Sequence, residues 1–362
     1  MNSSRSAAVA IRGEILTCFT SAVATYLSRY EVNYAPAIGL QSYFACKFEG
    51  GETLKGTFVH QHRSLNGESP LYSLSLCRRW ETDREAALAG MRAEWHKSGH
   101  LIVVGDAFNL PWLTNHGKKH AAHWFVVEEV DEAGQRFRIR DPFEFADANG
   151  TQAAYEGWIP LERLPELAKV HNTPAHPYLA RDLFGFGDEE DVPLDAYQGY
   201  QWFEATAPFQ TGVATTEDLV QELHETLRQM TGQARREDLL RRGFVLGLEA
   251  VAALADQFRE HLSNPDLYEM GDDFWVAGRQ RQLFAHALRH LAAQTGAGKW
   301  EELAAWVEEK LAPLWLGIPR LMLYNASCLV RKRPPKDVLI QQAEEVYRAE
   351  QEFITKLEEL LT

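Results

Sequence analysis

The chain changes its hydrophobic rhythm near its middle. In the first half, apolar residues come in short runs closed by turn residues. "LIVVGD" (101–106) is an apolar run ended by Gly, the pattern of a buried strand. "HWFVVEEV" (123–130) is a second run, and "RFRIRDP" (136–142) alternates apolar and polar positions before a proline stop. With the turn "DEAGQ" between them, these two predict a β-hairpin. One earlier segment has helical spacing instead. Phe19, Ala22, Val23, Tyr26 and Leu27 recur at i, i+3, i+4, i+7 and i+8, which predicts a helix over 18–29 with Thr17 as N-cap.

From about residue 183 the pattern changes. "LFGFGDEEDVPLDAYQGYQWF" is rich in Gly, acid and aromatics and reads as a connector that packs. Helical periodicity follows, over 216–231, 235–262, 272–294, 298–312 and 337–361, with Thr216 as N-cap of the first of these helices. In the last, Leu339, Val346, Phe353 and Leu360 fall at seven-residue steps with Ala343 and Leu357 between them, one apolar stripe. The expectation is an α+β domain with an antiparallel sheet over 1–185, a connector over 186–215 and an all-helical domain over 216–362. The chemistry is to be sought in the first.

Length and charge narrow the function classes. A chain of 362 residues is long enough for two domains. A net charge of −14 speaks against nucleic acid as a partner and leaves room for a cationic small molecule. No apolar run has the length of a membrane span, and "MNSSRSAAVAIRGEIL" makes a poor signal peptide, so no membrane and a cytoplasmic location are expected. "VRKRPPKD" (330–337) is a basic knot in this acidic chain: either a solvated loop between helices or a docking patch for an acidic partner such as a carrier protein. The striped C-terminal helix offers a surface for a homodimer.

Cys18, Cys46, Cys77 and Cys328 are far apart and form no C-x-x-C pair, which argues against a disulfide framework or a cysteine zinc site. Cys18 falls in the first turn of its helix, where unpaired N–H groups and the helix dipole favour a thiolate and offer a donor to an oxyanion. The bland alternative is a buried structural cysteine. His123 begins the first hairpin strand and Asp141 ends the second. With the turn centred near 133, Asp141 lies opposite Phe125, one diagonal step from His123 on the same face. A carboxylate there fixes the imidazole tautomer and stabilises its cation. The bland alternatives are a satisfied strand-edge histidine and the turn residue of an Asp-Pro stop.

The stretch "HGKKHAAH" raises two competitors. His116, His120 and His123 on one helix face would make a metal triad, but Gly-Lys-Lys signals a loop and the segment has no acidic ligand; no metal or cofactor is expected. His120 is the alternative base to His123. A nucleophilic Cys on an N-terminal helix followed by His and Asp on later strands is the papain-like order.

The segment "GDAFNLPWLTNHGKKHAAHWFVVEEVDEAGQRFRIRDPF" resembles the butirosin biosynthesis protein H family: an Asp followed by an aromatic-flanked Leu-Pro-aromatic, a His-rich turn, a His-aromatic-aliphatic-aliphatic strand, and a hairpin ending in Asp-Pro. The family also has a Cys opening its first helix. The resemblance is specific over 101–143 and general after 200. It implies a papain-like cysteine acyltransferase fold, akin to bacteriocin-processing cysteine peptidases, with Cys18 as nucleophile, His123 as base and Asp141 as orienting acid. Asp106 matches the family's Asp without an assigned role. The implied reaction takes an acyl or aminoacyl group from an acyl carrier protein thioester and passes it to a small-molecule amine, or to a nucleophile within the same molecule to close a ring. Two positions depart from the pattern. Arg12 stands where the peptidases hold an oxyanion-hole Gln, and Thr17 where the family often has His or Asp, which favours acyl transfer over peptide cleavage. The competing expectations are a thioesterase or amidase with the same triad, and a non-catalytic binding module.

Overall fold

A computed structural model describes residues 10–69, 71–147, 150–170, 199–212 and 214–362. Residues 1–9 and the 186–198 part of the expected connector lie outside the described residues. In chain order the main elements are α1 (Cys18–Arg29), α2 (Tyr34–Gly39), β1 (Ser42–Glu49), β2 (Lys55–Gln61), β3 (Leu76–Glu81), α3 (Arg84–Ser98), β4 (Leu101–Asp106), β5 (Ala122–Asp131), β6 (Arg136–Asp141), β7 (Tyr155–Pro160), α4 (Leu164–Ala168), β8 (Tyr200–Ala205), α5 (Thr216–Met230), α6 (Glu237–Arg241), β9 (Val245–Leu246), α7 (Gly247–His261), α8 (Gly271–Thr295), α9 (Gly298–Trp306), α10 (Ala312–Val330) and α11 (Val338–Leu361). The chain is thus mixed α+β, with antiparallel sheets in its N-terminal part and helices mostly in its C-terminal half. The described residues within Met1–Ala37 and Leu65–Val213 form one compact unit, and those within Ile38–Ser64 and Ala214–Thr362 a second.

The first unit is built on a six-stranded antiparallel sheet of order β7-β6-β5-β4-β8-β3. β4 is buried at all six positions, as its unbroken apolar run requires. On one face, Leu101, Val103, Phe125, Val127, Phe137 and Ile139 pack with Ala87 and Met91 of α3 and with Leu164 and Leu167 of α4. On the other, Trp124 takes Phe19 of α1 edge-on at 4.9 Å and stacks with Phe203 of β8 at 4.8 Å. Each such side chain removed from water contributes about 1.5–3 kcal/mol, which clamps the sheet between helices on both faces. The strand β8 falls in the stretch expected as connector; it pairs with β3 on one side and β4 on the other.

The β5–β6 hairpin carries a register change. Near its turn the pairs are Asp131↔Arg136, Val130↔Phe137 and Glu129↔Arg138; beyond it they are Val127↔Ile139 and Val126↔Arg140. Glu128 is the extra residue of a β-bulge. A one-residue slip exchanges the two faces of a strand. Without the bulge, Asp141 would oppose Val126 and point away from His123. With it, the predicted opposition to Phe125 holds at the far end.

In the second unit β1 pairs with β2 and with β9. The hairpin lies in the sequence half expected to form the first domain, yet its apolar side chains are covered by helices: Phe44 meets Trp315 of α10 at 4.9 Å, and Phe58 meets Phe274 of α8 at 5.1 Å. Arg281 and Glu350, both buried, pair at 2.7 Å; Trp315 donates its indole N–H to the same carboxylate oxygen and Arg281 donates to the Tyr43 carbonyl. These partners satisfy charges that would otherwise be costly to bury.

Three helical expectations shift. Thr215, not Thr216, caps α5, accepting from the Asp218 N–H in a capping box. The expected helix 235–262 is interrupted, because Gly243 adopts a left-handed φ of 82° and Val245–Leu246 pairs with β1. The helix expected over 298–312 runs through a π-helical turn (Val307–Leu311) into α10, which the prolines 313 and 319 hide from a periodicity reading. Among the described residues no helix is long and apolar enough to cross a membrane.

Candidate active site

Helix α1 begins as its sequence dictates. Thr17 is extended, its hydroxyl accepts the Thr20 N–H at 3.1 Å, and the Thr20 hydroxyl accepts the Thr17 N–H at 2.8 Å. This capping box stops the helix from starting earlier and leaves the Cys18 N–H outside it. From Phe19 to Leu27 every residue is buried, and the hydroxyls of Ser21 and Thr25 bond back to the carbonyls of Cys18 and Ser21. Cys18, immediately before that stretch, is partly exposed.

The segment before α1 is held against the end of β6. Gly13 packs so closely on the backbone of Pro142 that a Cβ there would lie 1.6 Å from the Pro142 carbonyl oxygen, and Glu144 donates its N–H to the Gly13 carbonyl at 3.4 Å. The start of α1 and the strand end carrying Asp141 are thereby fixed to each other.

His123 and Asp141 meet as the hairpin geometry predicts. Nε2 of His123 lies 2.7 Å from Oδ2 of Asp141, and both side chains are buried. The Cys18 thiol acts on the same ring and favours its charged form. Burial disfavours charge on the imidazole, but the Asp141 carboxylate and its hydrogen bond, with a smaller contribution from Cys18, outweigh it and raise His123 to about 10. The ring is therefore an imidazolium at neutral pH.

Trp112 is a member of this site that no sequence pattern singled out. Its indole Nε1 donates to Oδ2 of Asp141 at 2.8 Å, the oxygen that faces His123, while Oδ1 accepts the Phe143 N–H at 3.2 Å. The indole is stacked on Tyr155 at 4.7 Å and 9°, and its backbone is held by Gln152, whose Nε2 donates to the Trp112 carbonyl at 3.0 Å. The signal was present in "NLPWL", but a loop tryptophan 29 residues from its partner has no periodicity to betray it.

The other histidines of "HGKKHAAH" lie elsewhere. Residues 107–119 form turns rather than a helix, so no single helix face carries His116, His120 and His123. His120 pairs through Nδ1 with Oδ2 of Asp106 at 2.7 Å and stacks on Phe108 at 4.4 Å. Asp106, fully buried, also accepts the N–H groups of Phe108 and Ala121. Its role is to tie both ends of the loop that delivers Trp112. His116 is exposed. Among the described residues there is no cluster of three or more His, Cys, Asp and Glu side chains suited to a metal.

Of the other cysteines, Cys46 is buried with its thiol pushed up to about 12 by burial, and its S–H points to the Ala250 carbonyl. Cys77 donates to the Arg78 carbonyl and Cys328 is buried. Arg12 directs its guanidinium to Glu14 at 2.7 Å, near the surface. No protein-family model matches this chain, and no curated protein matches it.

Proposed function

We propose that the protein is a cysteine-dependent acyltransferase with a papain-like N-terminal domain, of the kind represented by the butirosin biosynthesis protein H family. The observation that carries the reading is the buried His123–Asp141 hydrogen bond together with the Cys18 thiol that acts on the same ring. The reacting pair in this mechanism is a Cys18 thiolate beside the His123 imidazolium. The thiolate attacks the carbonyl of an acyl thioester, and the oxyanion is received by the Cys18 N–H at the start of α1. The C–S bond to the donor breaks, and the departing thiolate takes the His123 proton. An amine then attacks the acyl-Cys18 carbonyl, His123 accepts its proton, and the Cys18 thiolate leaves. Asp141 holds the ring throughout and stabilises its cation.

The donor is an acyl or aminoacyl group on a carrier-protein thioester, the acceptor a small-molecule amine or an internal nucleophile that closes a ring, in natural-product biosynthesis. Thioesters are already activated. The Arg12–Glu14 pair, at the position where bacteriocin-processing peptidases hold a glutamine donor, favours them over amides as substrates.

Intact-protein mass spectrometry after exposure to acyl-pantetheine thioesters tests the reading. The wild type should gain one acyl mass, and Cys18→Ala should gain none. Full loading of Cys18→Ala overturns it. Acylated product appearing only as free acid, with amine present in excess, makes the protein a hydrolase using the same three residues.

A further inference from the structure

The basic segment 330–337 takes on more meaning in three dimensions. On α10, Leu323 and Tyr324 each lie three or four residues from both Arg320 and Ser327, which puts these four on one helix face, and Arg331, four residues further, caps the helix. Together with Cys328 and Arg333 they line a groove of about 390 Å³. Two of its apolar members are strongly exposed, Leu323 by 60% and Tyr324 by 50%, as is Val330, the last residue of α10, by 84%. Single exposed apolar residues need no explanation, but three within two turns of one helix do.

The charges point the same way. In a chain of net charge −14, Arg331, Lys332, Arg333 and Lys336 gather at the C-terminal end of α10, and Arg320 lies about three turns before them on the groove. Among the described residues none of the five is in an ion pair, whereas Arg259, Arg281 and Arg289 of the same unit are paired with carboxylates. The dipole of α10 accounts for a cation at its C-terminus. It does not account for exposed Leu323, Tyr324 and Val330 beside it. A concave, Arg- and Tyr-lined surface with an apolar floor has the make-up of a protein-binding hot spot rather than of a flat lipid contact.

We infer that this face of α10 and the 331–336 turn bind a protein partner through an acidic amphipathic helix, whose apolar stripe lies along Leu323, Tyr324 and Val330 and whose carboxylates meet the five cations. This site is separate from the Cys18 chemistry and does not depend on it.

The test uses the full chain and three fluorescent 18-residue peptides: an amphipathic helix with a Leu stripe flanked by Glu, the same composition scrambled, and the same stripe flanked by Lys. The acidic amphipathic peptide should bind at least about tenfold more tightly than either control, and weaken about tenfold between 50 and 500 mM NaCl. Arg331→Glu/Lys332→Glu/Arg333→Glu should abolish its binding, and Leu323→Ser/Val330→Ser should weaken it about tenfold, both without change in thermal midpoint. Equal binding of the scrambled peptide, or binding unaffected by either variant, overturns the inference. So does tighter capture by vesicles containing one quarter anionic lipid, or salt-sensitive self-association in sedimentation velocity, if the triple variant removes it; the occupant is then a lipid surface or a second copy of the chain.

Discussion

Gly13 and Pro142 touch backbone to backbone, closer than any side chain would allow. This contact locks the start of α1 to the strand end that carries Asp141. Gly13→Ala should force the two apart, destabilising the fold by about 1–3 kcal/mol and slowing acyl loading of Cys18 about 10²-fold through misplacement alone. Loading kinetics beside a denaturation curve check both. Unchanged loading would mean that the contact does not align the site.

Asp141 sets the charge on His123. His123 holds its proton more tightly in the folded chain than in the unfolded one, where it titrates near 6.5. The ion pair's stabilisation is therefore complete below about 6.5 and is lost as pH rises through about 10. The wild type should lose thermal stability between pH 7 and 10, and Asp141→Asn should lose less across the same interval from a lower start. NMR of the His123 ring should show its titration moving down in Asp141→Asn, with loading reduced about 10²-fold or more. A ring that titrates alike in both proteins contradicts this.

Trp112 acts through Asp141. Trp112→Phe keeps the stack on Tyr155 and removes only the indole N–H, a hydrogen bond to a charged group. Loading should fall about tenfold, in the rate of the step rather than in thioester binding, and the His123 titration should shift as well. A loss confined to the Michaelis constant would place Trp112 in substrate binding instead.

The legibility of this site in the sequence was uneven for physical reasons. Helix α1 was readable throughout, because its cap, its periodicity and its burial are local. The opposition of Asp141 to Phe125 was readable from the turn, but on an incomplete ground: the turn sets one register and the bulge at Glu128 shifts it by one. Trp112 was out of reach, since a loop residue is placed by Asp106 and Gln152 and not by its neighbours in sequence. The hairpin β1–β2 was equally hidden, because an apolar strand does not announce whether a sheet or a helix will cover it.

His100 gives the acid side of the stability curve. It is buried against Tyr26 at 4.2 Å, and burial, with the Arg29 charge, lowers it to about 4. A depressed histidine destabilises the fold as pH falls, because the unfolded chain takes a proton near 6.5 that the folded chain refuses until about 4. His100→Phe should flatten the loss of thermal midpoint between pH 6.5 and 4. An unchanged slope would assign acid sensitivity elsewhere.

The bulge at Glu128 makes the hairpin an odd-even device. Any single insertion or deletion between Glu128 and Asp141 turns the carboxylate from His123 toward the opposite face, whereas a change of two residues preserves it. Removing Glu128 alone should therefore silence loading as thoroughly as Asp141→Ala, although no residue of the triad has been touched. A second single-residue deletion in the 132–135 turn should restore it. Length variation in this hairpin is thus permitted in pairs and forbidden singly, a constraint of parity rather than of chemistry.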